Sequence, residues 1–592
     1  MEKPERHAID RHFAALLGRL EPSSDLRLAA ELVSRLRAEG HVCLPLREVN
    51  AEILQRAGIT APLPKTAGWI KTLRASKLVG GADGATPLVL DGSDRLYLRR
   101  YWRYEQDVAA NLRARAERRI DPGVNVARHC NEIAGGGALL QQLAAYMAAT
   151  SSLTVISGAP GTGKTRTVAL ICALLLAPGN ELEIALAAPT GKAAARLKEA
   201  LTNAKTQLPL PADILARLPT EASTIQRLLG VMGDSGKFRH DARNPLRADV
   251  VIVDEASMID LALLAKLLAA VRPEARLILV GDKDQLSSVE AGSAFRDICT
   301  PGGEPGGVSE DVARDFTKMT GAKIAKGQLP VAPIQNCVVE LRENFRFIAG
   351  AGIAELSAAV NRGAVAEAEV VLRGRSEQVK WKTTPNLRSF PAELRKAVLG
   401  KFEVLRQETN PAKALVRLSD FIILCALRRG PFGTRTINRL LERFFFEGGE
   451  TAATQQYFAG QPIIVVENDY QTGLFNGDLG IVLGAAEEQR VYFPGEDGTP
   501  RSFTVARLPE HETAFALTIH KSQGSEFNEA LVILPDQDSP ILTRELIYTA
   551  VTRVRRRVDI WTQKSIFATA IGRTVRRHSG LREALWGEGF RK

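Results

Sequence analysis

The chain has 592 residues, too many for one hydrophobic core, and its length predicts three or four domains. Hydrophobic residues make up 45% and charged residues 24%, as in an ordinary soluble globular protein. The excess of 78 Lys+Arg over 67 Asp+Glu gives a net charge of +11, which favours a polyanionic partner only weakly.

The six cysteines are Cys43, Cys130, Cys172, Cys299, Cys337 and Cys425. None forms a CxxC pair or sits near a His at metal-ligand spacing, which argues against structural zinc and iron–sulfur clusters. Scattered single cysteines fit a reducing cytosol. The start, Met1 to Phe13, is charged and has no apolar h-region, so no secretory leader is expected. The longest apolar run, Val168 to Ala177, is far too short to span a membrane.

Residues 1–115 read as a helical N-terminal domain. Ala29 to Leu36 has helical spacing and Gly40 follows as a stop. Tyr97, Tyr101, Tyr104 and Val108 fall at i, i+4, i+7 and i+11, which predicts one shared helix face. That face either packs inside the domain or docks another subunit. From 116 to 345 apolar runs alternate with helical stretches: Leu153–Ile156, Ile184–Ala187, Val250–Val253 and Leu277–Val280. Such runs suit buried strands of a parallel sheet. Pro301 to Gly307 reads as a flexible loop.

A second α/β region spans 346–592, with strand candidates Phe421–Leu424 and Leu531–Leu534. Within it, residues 450–512 hold short strands at Pro462–Val466, Gly480–Leu483, Arg490–Phe493 and Phe503–Val505. Turn signals at Asn476-Gly477-Asp478 and Asp497-Gly498 separate them, which predicts a small inserted β-barrel.

Gly158-Ala159-Pro160-Gly161-Thr162-Gly163-Lys164-Thr165 matches G-x-x-x-x-G-K-[ST] in full, after a strand and before a helix. Its backbone N–H groups and the helix N-terminus suit the phosphates of ATP. Lys164 is expected on the β/γ-phosphates and the Thr165 hydroxyl on Mg²⁺. Asp254 would hold Mg²⁺ through water, and Glu255 would orient and deprotonate the attacking water. Gln285, in Gly281-Asp282-Lys283-Asp284-Gln285, would sense the γ-phosphate. Arg346 and Arg553 are candidates to neutralise charge that develops in phosphoryl transfer. Thr190, Thr224 and Ser522 offer hydroxyls that can hydrogen-bond phosphates. Arg555-Arg556-Arg557, with Arg573, Arg576 and Arg577, is either a DNA contact or a solvated basic face. No cluster of Asp, Glu and Lys outside the ATPase motifs suggests a nuclease.

These segments together resemble superfamily 1 (1B) DNA helicases, and within them the RecD family, alpha subunits of exodeoxyribonuclease V (RecBCD). The pieces that carry the likeness run from Tyr97 to Trp561. They include Tyr97-Leu98-Arg99-Arg100-Tyr101-Trp102, the phosphate loop, Ala188-Pro189-Thr190-Gly191-Lys192-Ala193-Ala194 and Asp254-Glu255-Ala256-Ser257-Met258. Further on come Phe475-Asn476-Gly477-Asp478-Leu479-Gly480, Thr518-Ile519-His520-Lys521-Ser522-Gln523-Gly524 and Glu545 to Arg553.

The resemblance implies two RecA-like P-loop domains, an SH3-like inserted barrel that helps hold single-stranded DNA, and 5′-to-3′ helicase activity. It implies RecB-like and RecC-like partners, a role in double-strand-break repair and recombination, and a bacterial cytoplasmic setting. It assigns Pro189, Thr190 and Lys192 to the DNA backbone, and His520, Ser522 and Gln523 to DNA–ATP coupling. Glu526 would reach the ribose, and either Gln141 or Gln142 would read adenine, with Gln142 the position first taken. Gln226 stands where the family commonly has histidine. A stand-alone RecD-like helicase is the alternative.

Overall fold

The computed structural model describes residues 8–81, 83–121, 138–176, 181–207, 212–232, 237–301, 307–327, 332–346, 352–374, 376–446, 457–469, 471–485, 488–495 and 499–587. Residues 1–7, Cys130, Ala177, the interior of the 301–307 loop and the Asp497-Gly498 turn lie outside them.

Two all-parallel sheets form the frame. The first has the spatial order Val338–Leu341, Leu153–Gly158, Arg276–Gly281, Val250–Val253, Ile184–Ala188, Ala222–Thr224. Its strands are continuous apolar runs because both faces are covered. Alternate residues serve two separate cores. Val251, Val253, Leu277 and Leu279 enter one, whereas Val250, Ile252, Ile278 and Val280 enter the other. The register aligns Ile156 with Val280, Leu279 with Val253, and Val253 with Ala187. The loops after these strands therefore gather at one carboxyl edge, where parallel α/β sheets bind ligands.

The second sheet has the order Val379–Lys382, Val554–Trp561, Phe527–Ile533, Phe421–Cys425, Ala516–Thr518, again all parallel. Ile422 and Leu424 face one core, and Ile423 and Cys425 the other. Between Phe421–Cys425 and Ala516–Thr518 the chain leaves this sheet. It builds an antiparallel one: Arg501–Thr504, Arg490–Phe493, Leu479–Leu483, Pro462–Val465, His511–Thr513. Ile463, Val465, Leu474, Val482, Val491 and Phe493 give it a small core of its own. Among the described residues no pairing joins its two edge strands, so the expected barrel is here an open five-stranded sheet.

The N-terminal region is helical but not wholly so. Helices Ala8–Leu20, Ser24–Ala38, Ala51–Arg56, Thr66–Ala75 and Arg99–Glu117 accompany a four-stranded sheet of Cys43–Pro45, Arg95–Leu98, Leu88–Leu90 and Val79–Gly80. Strands this short carry too little alternation to register as a period. The expected Tyr97–Val108 helix face is corrected accordingly. Tyr97 belongs to a strand, paired with Cys43 and Val89, and the helix begins at Arg99. Tyr101, Tyr104 and Val108 do share a face, and it packs within the chain, against the core that contains Leu264 and Leu268.

The C-terminal segment turns away from the second sheet. After helix Lys564–Gly572 it runs back to the N-terminal region, where His578 O accepts Val42 N–H at 2.8 Å. Glu105, 1% exposed, accepts Ser579 Oγ–H and Gly580 N–H at 2.8 Å each, and Tyr97 O–H at 3.1 Å. Leu581, Leu585 and Trp586 then enter the core of the first sheet, and Trp586 Nε1 donates to Asp297 O at 3.1 Å.

Asp297 is half-buried beneath this strap, with its Oδ2 buried and unpartnered. Burial, with the Glu105 charge nearby, pushes its carboxyl up to about 7. The folded state thus keeps a proton that the unfolded chain releases near pH 4. Stability contributed here is greatest at low pH and falls as pH rises from about 4 to 7. Asp297→Asn should therefore be more stable than the parent by about 2 to 4 kcal/mol above pH 7, the advantage shrinking towards pH 4. Paired thermal melts across pH check this; a pH-independent difference would refute it.

Candidate functional site

The phosphate loop closes strand Leu153–Gly158 and opens helix Lys164–Leu176. Gly161 and Gly163 hold φ of 91° and 80°, a region that side chains disfavour. Space is as strict as torsion. A Cβ on Gly161 would lie 2.5 Å from Arg346 Cβ, and one on Gly163 would lie 2.5 Å from Gln141 Nε2. Lys164 Nζ donates back to Gly158 O at 2.7 Å and Ala159 O at 3.3 Å.

Carboxylates from the next two strands face this lysine. Burial and the adjacent Glu255 raise the pKa of Asp254, while Lys164 and Arg196 oppose the shift. Burial likewise raises Asp282. Glu255 is held at φ 51°, one of two non-glycine residues with positive φ among those described. Its N–H donates to Asp254 Oδ1 at 2.8 Å. Two carboxylates whose charge is this poorly solvated, both acting on Lys164, suit a divalent cation. Gln285 is 3% exposed and donates to Asp282 Oδ2 at 3.0 Å.

The second sheet closes over the same edge. Tyr548 O–H donates to Asp282 Oδ2 at 3.1 Å, Leu286 N–H to Thr549 Oγ1 at 3.0 Å, and Gln523 Nε2 to Leu286 O at 2.7 Å. Glu526, with a side chain 9% exposed, takes three arginines: Arg346 at 2.6 Å, Arg555 at 2.7 Å and Arg196 at 2.8 Å. Despite burial, Arg196 and Arg346 hold its carboxyl well below the usual range. The Glu526 carboxylate, expected on the ribose, is paired here with these guanidinium groups. Arg346 Nη1 and Arg553 Nε are buried without partners, and Arg553 Nη1 reaches Ser525 O at 3.3 Å. Both arginines thus stand at the cleft with an unmet donor.

The DNA candidates separate into two groups. Thr190 and Thr224 cap helices Gly191–Gln207 and Ile225–Leu229, accepting Ala193 N–H at 3.2 Å and Arg227 N–H at 3.1 Å. Their hydroxyl protons remain available, and Pro189 is half-buried beside Thr190. Lys192 is lowered to about 8 by burial and by Arg196, a charge that a phosphate would relieve. His520 is half-buried, and burial lowers its pKa. Ser522 is different. It is 0% exposed and donates to Ile519 O at 2.7 Å, so it closes its own turn and is not presented to a phosphate. Gln523 reaches across the cleft to Leu286 O. Gln226 is half-buried in the first turn of its helix.

Most of the C-terminal basic run serves the chain itself. Arg555 binds Glu526, Arg557 binds Asp559, Arg573 binds Asp538, and Arg577 donates to Glu290 O and Gly292 O. Of the paired glutamines, Gln141 is the one against the loop. It is 2% exposed and donates to Thr162 O at 3.2 Å, whereas Gln142 is half-buried. Two residues escaped the sequence reading. Phe345 is 62% exposed, its N–H donates to Gly161 O at 2.8 Å, and its ring edge lies 3.7 Å from a Cβ built on Gly163. Its position directly before Arg346 was the signal. Arg196 follows Lys192 by four residues, on the same helix face, and also donates to Gly524 O at 2.9 Å.

The family model described as RecBCD enzyme subunit RecD, N-terminal domain, matches residues 6–97. An AAA domain model matches 141–291, and a UvrD-like helicase C-terminal domain model matches 513–560. The RecBCD enzyme subunit RecD of Mycolicibacterium smegmatis is 39% identical over 95% of this chain and 94% of its own length. That of Mycobacterium tuberculosis is 38% identical over 98% and 95%. The ATP-dependent RecD2 DNA helicase of Deinococcus radiodurans is 32% identical over 71% of this chain and 47% of its own length. Similarity of this extent, carried through both motor sheets and the N-terminal region, means that the chain belongs to the RecD family of ATP-hydrolysing DNA helicases.

Proposed function

We propose that this chain moves 5′-to-3′ on single-stranded DNA as one motor of a RecBCD-type helicase–nuclease, beside RecB-like and RecC-like subunits, in double-strand-break repair in the bacterial cytoplasm. The carrying observation is the cleft itself: Tyr548, Thr549, Gln523 and Glu526 of the second sheet reach residues around the phosphate loop of the first. Hydrolysis in such a cleft changes the contacts between two bodies, which is how chemistry becomes movement.

Lys164 leaves its loop carbonyls for the β/γ-phosphates of ATP. Glu255 accepts a proton from the attacking water, and Gln285 orients that water or senses the γ-phosphate. Arg346 and Arg553 neutralise the transferring group with their unmet donors. Thr165 and Asp254 hold Mg²⁺, which supplies charge neutralisation at the phosphates. Gln141 reads adenine and Phe345 offers the base a stacking surface. Pro189, Thr190, Lys192, Thr224 and His520 line the DNA side. Separate sheets support the division into 1–115, 116–345 and 346–592 with an insertion at 450–512, except that the strap after Gly572 packs with the N-terminal and first motor parts. Among the described residues no helix is long and apolar enough to cross a membrane. The Deinococcus radiodurans relative keeps a stand-alone helicase as the second reading; copurification with two large partners separates the two.

ATP hydrolysis by the purified chain should rise with single-stranded DNA, and unwinding should favour a 5′-tailed over a 3′-tailed duplex. ATPase indifferent to DNA would sink the reading. Glu255→Gln should lower kcat about 100-fold or more while still binding nucleotide. Gln141→Ala should raise KM for ATP about tenfold and Gln142→Ala less than about twofold; steady-state kinetics on the pair decides which side chain reads the base.

A further inference from the structure

Helix Thr434–Phe446 follows the carboxyl end of strand Phe421–Cys425. Its inner face is apolar: Ile437, Leu441 and Phe445 are buried in the second sheet's core. Its outer face is a row of arginines, Arg435, Arg439 and Arg443, all exposed. At four-residue spacing they stand about 6 Å apart along one line. Exposed Arg429 extends the row beyond the helix start. None of these four side chains has an ion pair among the described residues. Arg314, Arg362 and Arg373, exposed on other helices, each hold a carboxylate, of Asp311, Glu367 and Glu369. A solvated face usually mixes both signs; here the helix's one acidic residue, half-buried Glu442, accepts the Thr513 hydroxyl instead of pairing with the row.

The row is also fixed relative to the Thr518–Gly524 segment of the second motor. Asn438 Nδ2 donates to Thr513 O and Ala516 O, and Asn438 Oδ1 accepts Ala516 N–H. Arg435 N–H donates to Arg428 O, Arg428 binds Glu512, and Glu512 binds Lys521 at 2.9 Å. Lys521 lies inside the Thr518–Gly524 segment. The arginine row therefore holds a fixed position relative to that segment.

We infer that the Arg429–Arg435–Arg439–Arg443 face is a second nucleic-acid contact, a track for the phosphates of a strand that continues past the Thr518–Gly524 segment. This rests on the helicase reading. Planar guanidinium forks suit phosphate oxygens, and a row without base-reading side chains gives sequence-blind, salt-sensitive attachment.

The test compares the full chain with an Arg435→Gln/Arg439→Gln/Arg443→Gln variant. Both are titrated with a short (~8-nucleotide) and a long (~30-nucleotide) single strand at several salt concentrations. For the long strand the salt slope should fall by about 2, roughly 0.7 for each lost contact, and affinity near 0.1 M salt by about tenfold or more. For the short strand the two proteins should agree within about twofold. Arg439→Gln alone should remove about 0.7 of slope, and serves if the triple variant folds poorly. Arg314→Gln/Arg362→Gln/Arg373→Gln makes the same charge change elsewhere. An equal loss in that control would overturn the track as a bulk-charge effect. An unchanged long-strand slope would overturn it too, and leave the face to an acidic protein. If the parent binds neither strand, the helicase reading itself fails.

Discussion

One carboxylate holds the cleft together. Glu526 is nearly buried, and a buried charge is costly unless it is paired on every side. Here three guanidinium groups pair it, from a helix of the first motor, from the segment after the first sheet's edge strand, and from the second motor's own strand. Removing Glu526 itself would leave Arg196 and Arg346 beside one another without a counter-charge, so this carboxylate ties the two motors together electrostatically. Arg346 belongs to this cluster, yet also carries an unmet donor. A triphosphate that recruits Arg346 must therefore compete with Glu526 for it. Binding of nucleotide and rearrangement of the cleft become one event.

Arg196 adds the second half of that link. It shares a helix with Lys192, one turn earlier, and Lys192 stands where the DNA backbone is proposed to pass. A side chain that grips Gly524 O and Glu526 from that helix ties the position of the DNA side to the state of the ATP side. The inserted sheet bears on the same place. Phe475 lies 3.0 Å from a Cβ built on Gly191, and the Asp478 charge acts on Lys192.

What could be read from the chain beforehand followed its physics. Val250–Val253 and its neighbours announced themselves because strands buried on both faces must be continuously apolar. The phosphate loop was legible because backbone torsions and close approach demand glycine at 161 and 163. The short N-terminal strands were not legible, since two to four residues cannot establish a period; Tyr97 was drawn into a helix for that reason. Ser522 looked like a DNA contact because its type allowed it, and only the fold shows the hydroxyl turned inward to Ile519. The basic C-terminal run looked like a nucleic-acid patch because composition records charge but not partners. Arg435, Arg439 and Arg443 are hidden for the converse reason: they are ordinary in number, and only the fold shows that the neighbouring Glu442 is taken by Thr513.

The strap from Arg573 to Trp586 makes the chain mechanically a loop. The N-terminal sheet shares the first motor's core, and the strap, joined to it at Val42 and His578, seats Leu581, Leu585 and Trp586 in that same core. The second motor is thereby tied at both ends of its chain to the body that carries the phosphate loop. Each widening of the cleft would draw on the strap between Gly572 and Arg577.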